Sequence, residues 1–194
     1  MVGNVNEVYL RLEIVKQIRD QFLSNKTIPS VHLHEFLDKS FYILLRKEIF
    51  GLKLKNEIDR LSHKHQSGKI TGEINNLLND YNLLNFISLV IGKHVRKIDA
   101  TCFSFGTGDY TVLNDLGKEK PGIDFVLDLT DDWNKDAGGQ IVYTENKGDG
   151  LVVNPIGNSL LLVQRKNLHV RRFVKYVNHH AGKNKRVLVV GKIL

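Results

Sequence analysis

From Ile98 to Leu194 the chain is written in short β-rich runs separated by turn chemistry, and nothing else in it constrains the fold as tightly. The runs are "IDATCFSF", "YTVL", "IDFVLDL", "QIVYTE", "LVVN", "SLLLVQ", "HVRRFVKYV" and "RVLVVGKIL". The breaks between them include "GTGD", "TDDWNKDAGG", "NKGDG", "PIGN" and "NHHAGKNK". Apolar and β-branched runs bounded by Gly, Asn, Asp and Pro are strands joined by turns. About eight of them at such close spacing predict a sandwich or barrel.

Before Ile98 the periodicity is helical. Val8, Leu12, Val15, Ile18 and Phe22 recur at three- or four-residue steps, which predicts one buried helix face. Pro29 prevents that helix from continuing, and "SVHLHEFL" alternates from Val31 like a short strand. Asp38 is an N-cap for a helix over Lys39–Phe50, which Gly51 ends. "SHKHQSGK" reads as a solvated loop and "TGEINNLLNDYNLLNFISLVIGKHV" as renewed helix. Helices first and strands afterwards predict an α+β class, with helices bracing one face of a sheet sandwich. No internal repeat or low-complexity linker divides the chain, so a single domain over 1–194 is expected.

The chain's 194 residues suffice for one substantial core. No apolar run approaches the ~20 residues of a membrane helix, and "MVGNVNEVYLRLEIVKQ" lacks the basic-then-apolar order of a secretory signal. The expected location is therefore cytoplasmic, away from membrane. A single cysteine, Cys102, excludes an intramolecular disulfide framework and a cysteine-rich zinc site; inside an apolar strand it reads as a small buried hydrophobe. Net charge is +7, and Arg165–Leu194 holds nine Lys or Arg and no Asp or Glu. Such a stretch attracts a polyanion such as nucleic acid. Lysine-rich strand edges produce the same pattern, and no stacking-aromatic motif accompanies it.

Four segments carry a resemblance. "DFVLDLTDDWNKDAGGQIVY" resembles the centre of the Fe(II)/2-oxoglutarate-dependent dioxygenases of the prolyl-hydroxylase-like branch, where a strand ends in an acidic turn with tryptophan and a Gly-Gly pair opens the next. "NPIGNSLLLVQRKNLHV" is similar to the family's run out to the distal metal-binding histidine. "KRVLVVGKIL" is similar to its closing strand, and "IPSVHLHEFLDKSFYILLRKEIF" to its opening element. The resemblance implies a double-stranded β-helix, the cupin-like jelly-roll: residues 98–194 would be the jelly-roll core and 1–97 mainly helical support. It also implies Fe(II) and 2-oxoglutarate as cofactors. Iron held by two imidazoles and a carboxylate on one face leaves positions for the 2-oxo acid and dioxygen.

Carried over by residue, the resemblance places the distal metal ligand on His169 and the cosubstrate-binding base on Arg186. The His-X-acid motif falls on Asn114-Asp115-Leu116, so an amide and an isobutyl group stand where imidazole and carboxylate would be. A one-residue slip would offer Asp115, but with its side chain on the other sheet face. The expectation is a degenerate oxygenase-like protein, a pseudoenzyme. If it is active, the implied reaction is hydroxylation coupled to 2-oxoglutarate decarboxylation, with Asn114 or Asp115 as a weak third contact. The alternative is a non-enzymatic binding module that uses the barrel mouth or basic C-terminal face for a peptide, small anion or nucleic acid. His169 is then either a vestigial ligand or a core histidine. Arg186, if buried, needs an anion, and a 2-oxo acid, another carboxylate or an internal Asp would each serve.

Other candidates read as structural. His179 and His180 fall in a solvated turn, His63 and His65 in a surface loop, and His32 and His34 on a polar strand face. Asp124, Asp128, Asp131, Asp132 and Asp136 fit no calcium loop. "GTGD" lacks the residues of a phosphate loop, and Trp133 reads as a packed turn residue.

Overall fold

Strand and turn chemistry after Ile98 and helical periodicity before it become four helices and eleven strands in the computed structural model, which describes residues 4–24, 26–59, 63–112, 120–145 and 150–194. The helices are α1 (Leu12–Ser24), α2 (Lys39–Phe50), α3 (Gly72–Leu78) and α4 (Tyr81–Ile91). The strands are β1 (Ser30–His34), β2 (Lys55–Asp59), β3 (His63–Lys69), β4 (Ile98–Phe105), β5 (Tyr110–Thr111), β6 (Gly122–Asp128), β7 (Ile141–Thr144), β8 (Leu151–Val153), β9 (Ser159–Arg165), β10 (Arg171–Val174) and β11 (Arg186–Ile193). The larger antiparallel sheet runs β1-β9-β6-β11-β4-β3-β2 with β5 beside β3, and the smaller runs β10-β7-β8. Backbone bonds also tie the β5 segment to β10: Val177 N–H donates to Asp109 O at 2.9 Å, and Gly108 N–H to Val177 O at 2.8 Å.

The two-residue side-chain period of a strand sorts the larger sheet into two faces. Phe125, Leu127, Leu160, Leu162, Val187, Val189 and Cys102 pack with α1, α2 and α4 in one apolar cluster. Their neighbours Val126, Leu161, Val163, Leu188 and Phe105 point the other way and pack with Ile141, Tyr143, Val153 and Val174 of the smaller sheet. The second cluster fills the space between the sheets. This is the jelly-roll.

The first half departs from its reading in three places. Helix α1 begins only at Leu12, because Asn6 caps a separate 3-10 turn over Glu7–Leu10 by accepting from Val8 N–H. Val15, Ile18 and Phe22 are buried as expected, whereas Val8 and Leu12 lie before and at the break and are exposed. Of the expected loop "SHKHQSGK", His63–Lys69 is instead β3, held between β2 and β4. Its apolar content is too low to announce a strand, but His65 turns inward onto the rings of Phe103 and Phe105, at 5.3 and 5.4 Å. The expected long helix divides into α3 and α4, because Asp80 caps a new start by accepting from Asn82 and Leu83 N–H. Asp38 caps α2 as read.

Glycine is required where the sheets join. Gly138 has φ +79°, and a Cβ there would stand 2.1 Å from Tyr176 O. Gly139, at φ +76°, lets Trp133, Val177 and the Arg186 side chain approach closely. Both conformations are ones that L side chains rarely adopt.

Candidate functional site

Arg186 opens β11 and projects between the sheets at 1% exposure. Its Nη2 donates to Asp128 Oδ2 at 3.1 Å. Asp128 ends β6 and is buried as well; Oδ1 accepts from Thr130 N–H at 2.9 Å and Oδ2 from Ile156 N–H at 3.3 Å. The internal Asp is thus the counter-ion that a buried guanidinium needs. Burial draws Arg186 below the ordinary guanidinium range, and the Asp128 charge opposes that. Nε and Nη1 of Arg186 are buried with no hydrogen-bond partner among the described residues.

A second ionic group lies further along β6. Asp124 accepts from Arg165 Nε at 3.1 Å and Nη2 at 2.9 Å, and from Arg172 Nη1 at 3.0 Å. Asp124 and Arg165 are almost wholly buried. Tyr143 is also buried, its hydroxyl facing Asp124 and Arg172 without a hydrogen bond of ordinary geometry. Desolvation pushes that phenol well above its usual range, and the Asp124 charge adds to the effect.

Nearby, on β1, His32 Nε2 lies 2.9 Å from Ser159 Oγ. The Ser159 hydroxyl already donates to Ile156 O, so it accepts from His32, which is a neutral imidazole protonated on Nε2. Burial, reinforced by the charge of His34, lowers the His32 pKa to about 4. The polar face expected of β1 is therefore half turned inward.

His169 sits in the turn between β9 and β10 and is solvent-exposed, its N–H donating to Asn167 Oδ1 at 2.8 Å. A core histidine it is not. Asn114, Asp115 and Leu116 lie outside the described residues. The basic C-terminal stretch is partly matched inside the barrel: of its nine cations, Arg165, Arg172 and Arg186 are paired with Asp124 and Asp128. His179 and His180 are exposed, as read. Trp133 is packed in the turn and donates from Nε1 to Gly138 O at 3.1 Å. Cys102 is fully buried. Among the described residues no helix is long and apolar enough to cross a membrane.

The Asp128–Arg186 and Asp124–Arg165–Arg172 contacts were missed in the sequence because their partners stand 41 to 58 residues apart. A signal was present nonetheless: Asp124 and Asp128 interrupt the otherwise apolar "IDFVLDL", where both faces of the strand are buried.

Comparison with known proteins gives a consistent answer. The family model described as oxoglutarate and iron-dependent oxygenase degradation C-term matches residues 52–193. Among solved structures, a prolyl-4-hydroxylase from Pseudomonas putida is similar with a TM-score of 0.71 at 15% identity, over 93% of this chain and 98% of that one. An oxidoreductase of the 2OG-Fe(II) oxygenase family from Burkholderia pseudomallei gives 0.69 at 14% identity, over 92% and 90%. A prolyl hydroxylase from Trichoplax adhaerens, in complex with a hypoxia inducible factor oxygen degradation domain peptide fragment, gives 0.63 at 14%, over 95% and 92%. At such identities the structural likeness speaks for the fold alone.

Proposed function

This chain belongs to the oxoglutarate and iron-dependent oxygenase family, whose model spans residues 52–193, and from that premise we propose that it is a non-catalytic member, a jelly-roll binding module. The observation that carries the reading is the Arg186–Asp128 pair inside the barrel. A guanidinium that serves a 2-oxo acid must meet the carboxylate of its guest, and here a resident carboxylate takes that place at 3.1 Å. An incoming anion would meet Asp128 as well as Arg186, in an interior that screens like-charge repulsion poorly. The unpartnered Nε and Nη1 of Arg186 suit a neutral acceptor better than a second carboxylate.

The residues do not fit the metal either. A facial iron site needs two imidazoles and a carboxylate, and Asn114 and Leu116 occupy two of the three positions by resemblance. An amide oxygen is a weak neutral donor and leucine has none. Among the described residues no group of three His, Cys, Asp or Glu stands close enough to hold a metal ion. No reaction step is therefore derived through iron or 2-oxoglutarate.

The test is anaerobic addition of Fe(II) and 2-oxoglutarate, followed by visible absorption and by calorimetry with Mn(II) in place of iron. No charge-transfer band and no cosubstrate binding are expected; a band at ordinary affinity overturns the reading. Asn114→His with Leu116→Asp should gain metal binding that His169→Ala removes. Cosubstrate affinity should stay weak in that variant until Asp128→Asn is added.

A further inference from the structure

The outer face of the smaller sheet carries a surface that the barrel argument does not use. Along β10, Arg172 and Val174 point into the barrel, so Arg171, Phe173 and Lys175 point away from it. The β5 segment lies alongside, with Val174 N–H donating to Thr111 Oγ1 at 2.7 Å. Together they form a groove of about 590 Å³ lined by Tyr110, Thr111, Val112, Phe173, Lys175 and Tyr176. Tyr110 and Tyr176 have ring centroids 6.4 Å apart. Tyr176 is 58% exposed and Val112 40%. A contiguous exposed aromatic groove of this kind marks an interaction surface.

We infer that this groove binds single-stranded nucleic acid, with unpaired bases stacking on Tyr110, Phe173 and Tyr176 and phosphates meeting Lys175. Flat aromatic side chains beside cations are the two parts of a sequence-tolerant single-strand site, one for the π-faces of bases and one for the backbone. Charge favours an anionic occupant over a basic or apolar one, and the aromatic faces favour unpaired bases over an acidic peptide. No described lining residue is acidic, the nearby Asp109 carboxylate is engaged by Lys64 and Gly106 N–H, and the chain as a whole carries +7. A duplex hides its base faces and would forgo the aromatic contacts. The stacking residues absent as a linear motif are assembled by the fold, which brings the β5 segment alongside β10.

The experiment is fluorescence anisotropy of the full chain with labelled oligodeoxythymidylate and oligouridylate of about ten nucleotides, against duplex of equal length and a proline-rich peptide. Single strands should bind more tightly than duplex. Tyr176→Ala, at an exposed position, should weaken binding about 5- to 100-fold, and Tyr176→Trp should restore it. Lys175→Gln should flatten the slope of log affinity against log salt by about 0.7. The inference is overturned by any of three results: no single-strand binding at low salt, equal affinity for duplex, or affinity unchanged by Tyr176→Ala. Peptide binding that Tyr176→Ala abolishes, without oligonucleotide binding, would assign the groove to a protein partner instead.

Discussion

Replacing Asp128 with asparagine removes the charge opposite Arg186 while keeping the size of the side chain. The Asp128 carboxylate accepts from Arg186 Nη2, Thr130 N–H and Ile156 N–H. Asparagine retains one oxygen and turns an NH2 toward a group that is itself a donor. Stranding one member of a buried ion pair costs about 3–5 kcal/mol. Among the described residues Arg186 has no spare partner to fall back on, since none accepts from Nε or Nη1. The expected loss is therefore near the middle of that range, about 4 kcal/mol. With an m-value of about 2 kcal/mol/M, the urea midpoint should fall by roughly 2 M. Trp133, the only tryptophan, stands beside the Arg186 side chain at Gly139, so its fluorescence reports the transition. Arg186→Met should be milder, because Asp128 keeps two backbone donors. Asp128→Leu with Arg186→Met should sit closer to the wild type than the sum of the two single losses. A double-mutant coupling within about 0.5 kcal/mol of zero would refute the claim that these side chains answer one another.

Three further outcomes follow from individual groups. His32 is neutral in the fold with its pKa lowered to about 4, and burial lowers that of His65 as well. The unfolded chain takes up these protons first, so stability is full above about pH 6.5 and declines as pH falls toward 4; urea midpoints across that window should drop for the wild type and drop less for His32→Asn. Cys102, fully buried and with its thiol pushed up to about 12, should resist aromatic disulfide reagents in the native state and react in urea; prompt native labelling would contradict its burial. Gly138→Ala should lower stability by about 3 kcal/mol or more through a positive φ and contact with Tyr176 O, and a loss under about 1 kcal/mol would show that the strand junction adjusts freely.

What was legible in the sequence was whatever local chemistry dictates. The Asp38 cap, the strand at Ser30–His34 and the apolar runs from Ile98 onward each carry their own signal within a few residues. β3 was not legible, because "HKHQSGK" is polar and becomes a strand only by pairing with β2 and β4. The candidate site divides the same way. Arg186 could be placed by resemblance, but its partner could not, since Asp128 is brought to it by the β6–β11 pairing, where Leu188 stands opposite Asp128. The basicity of Arg165–Leu194 is likewise not wholly a surface property, since three of its cations, Arg165, Arg172 and Arg186, are matched by Asp124 and Asp128.

These internal pairs bear on the proposal that the barrel does without a metal. A charged guest between the sheets would need polar groups free to receive it, and among the described residues Arg186 Nε and Nη1 and the Tyr143 hydroxyl are without hydrogen bonds. Here most of that space is filled by Phe105, Val126, Ile141, Tyr143, Leu161, Val163 and Leu188, and the buried carboxylates Asp124 and Asp128 are matched to arginines of β9, β10 and β11. One of these pairs, Asp124–Arg172, joins the two sheets, a mechanical role that a ligated ion would otherwise share. On the proposed reading, a barrel closed in this way gains no stability from Fe(II) or 2-oxoglutarate. Its thermal midpoint should therefore be the same with excess chelator as with Fe(II) and 2-oxoglutarate under nitrogen. A rise of more than about 2 °C with the two ligands together would mean that the fold still recognises them.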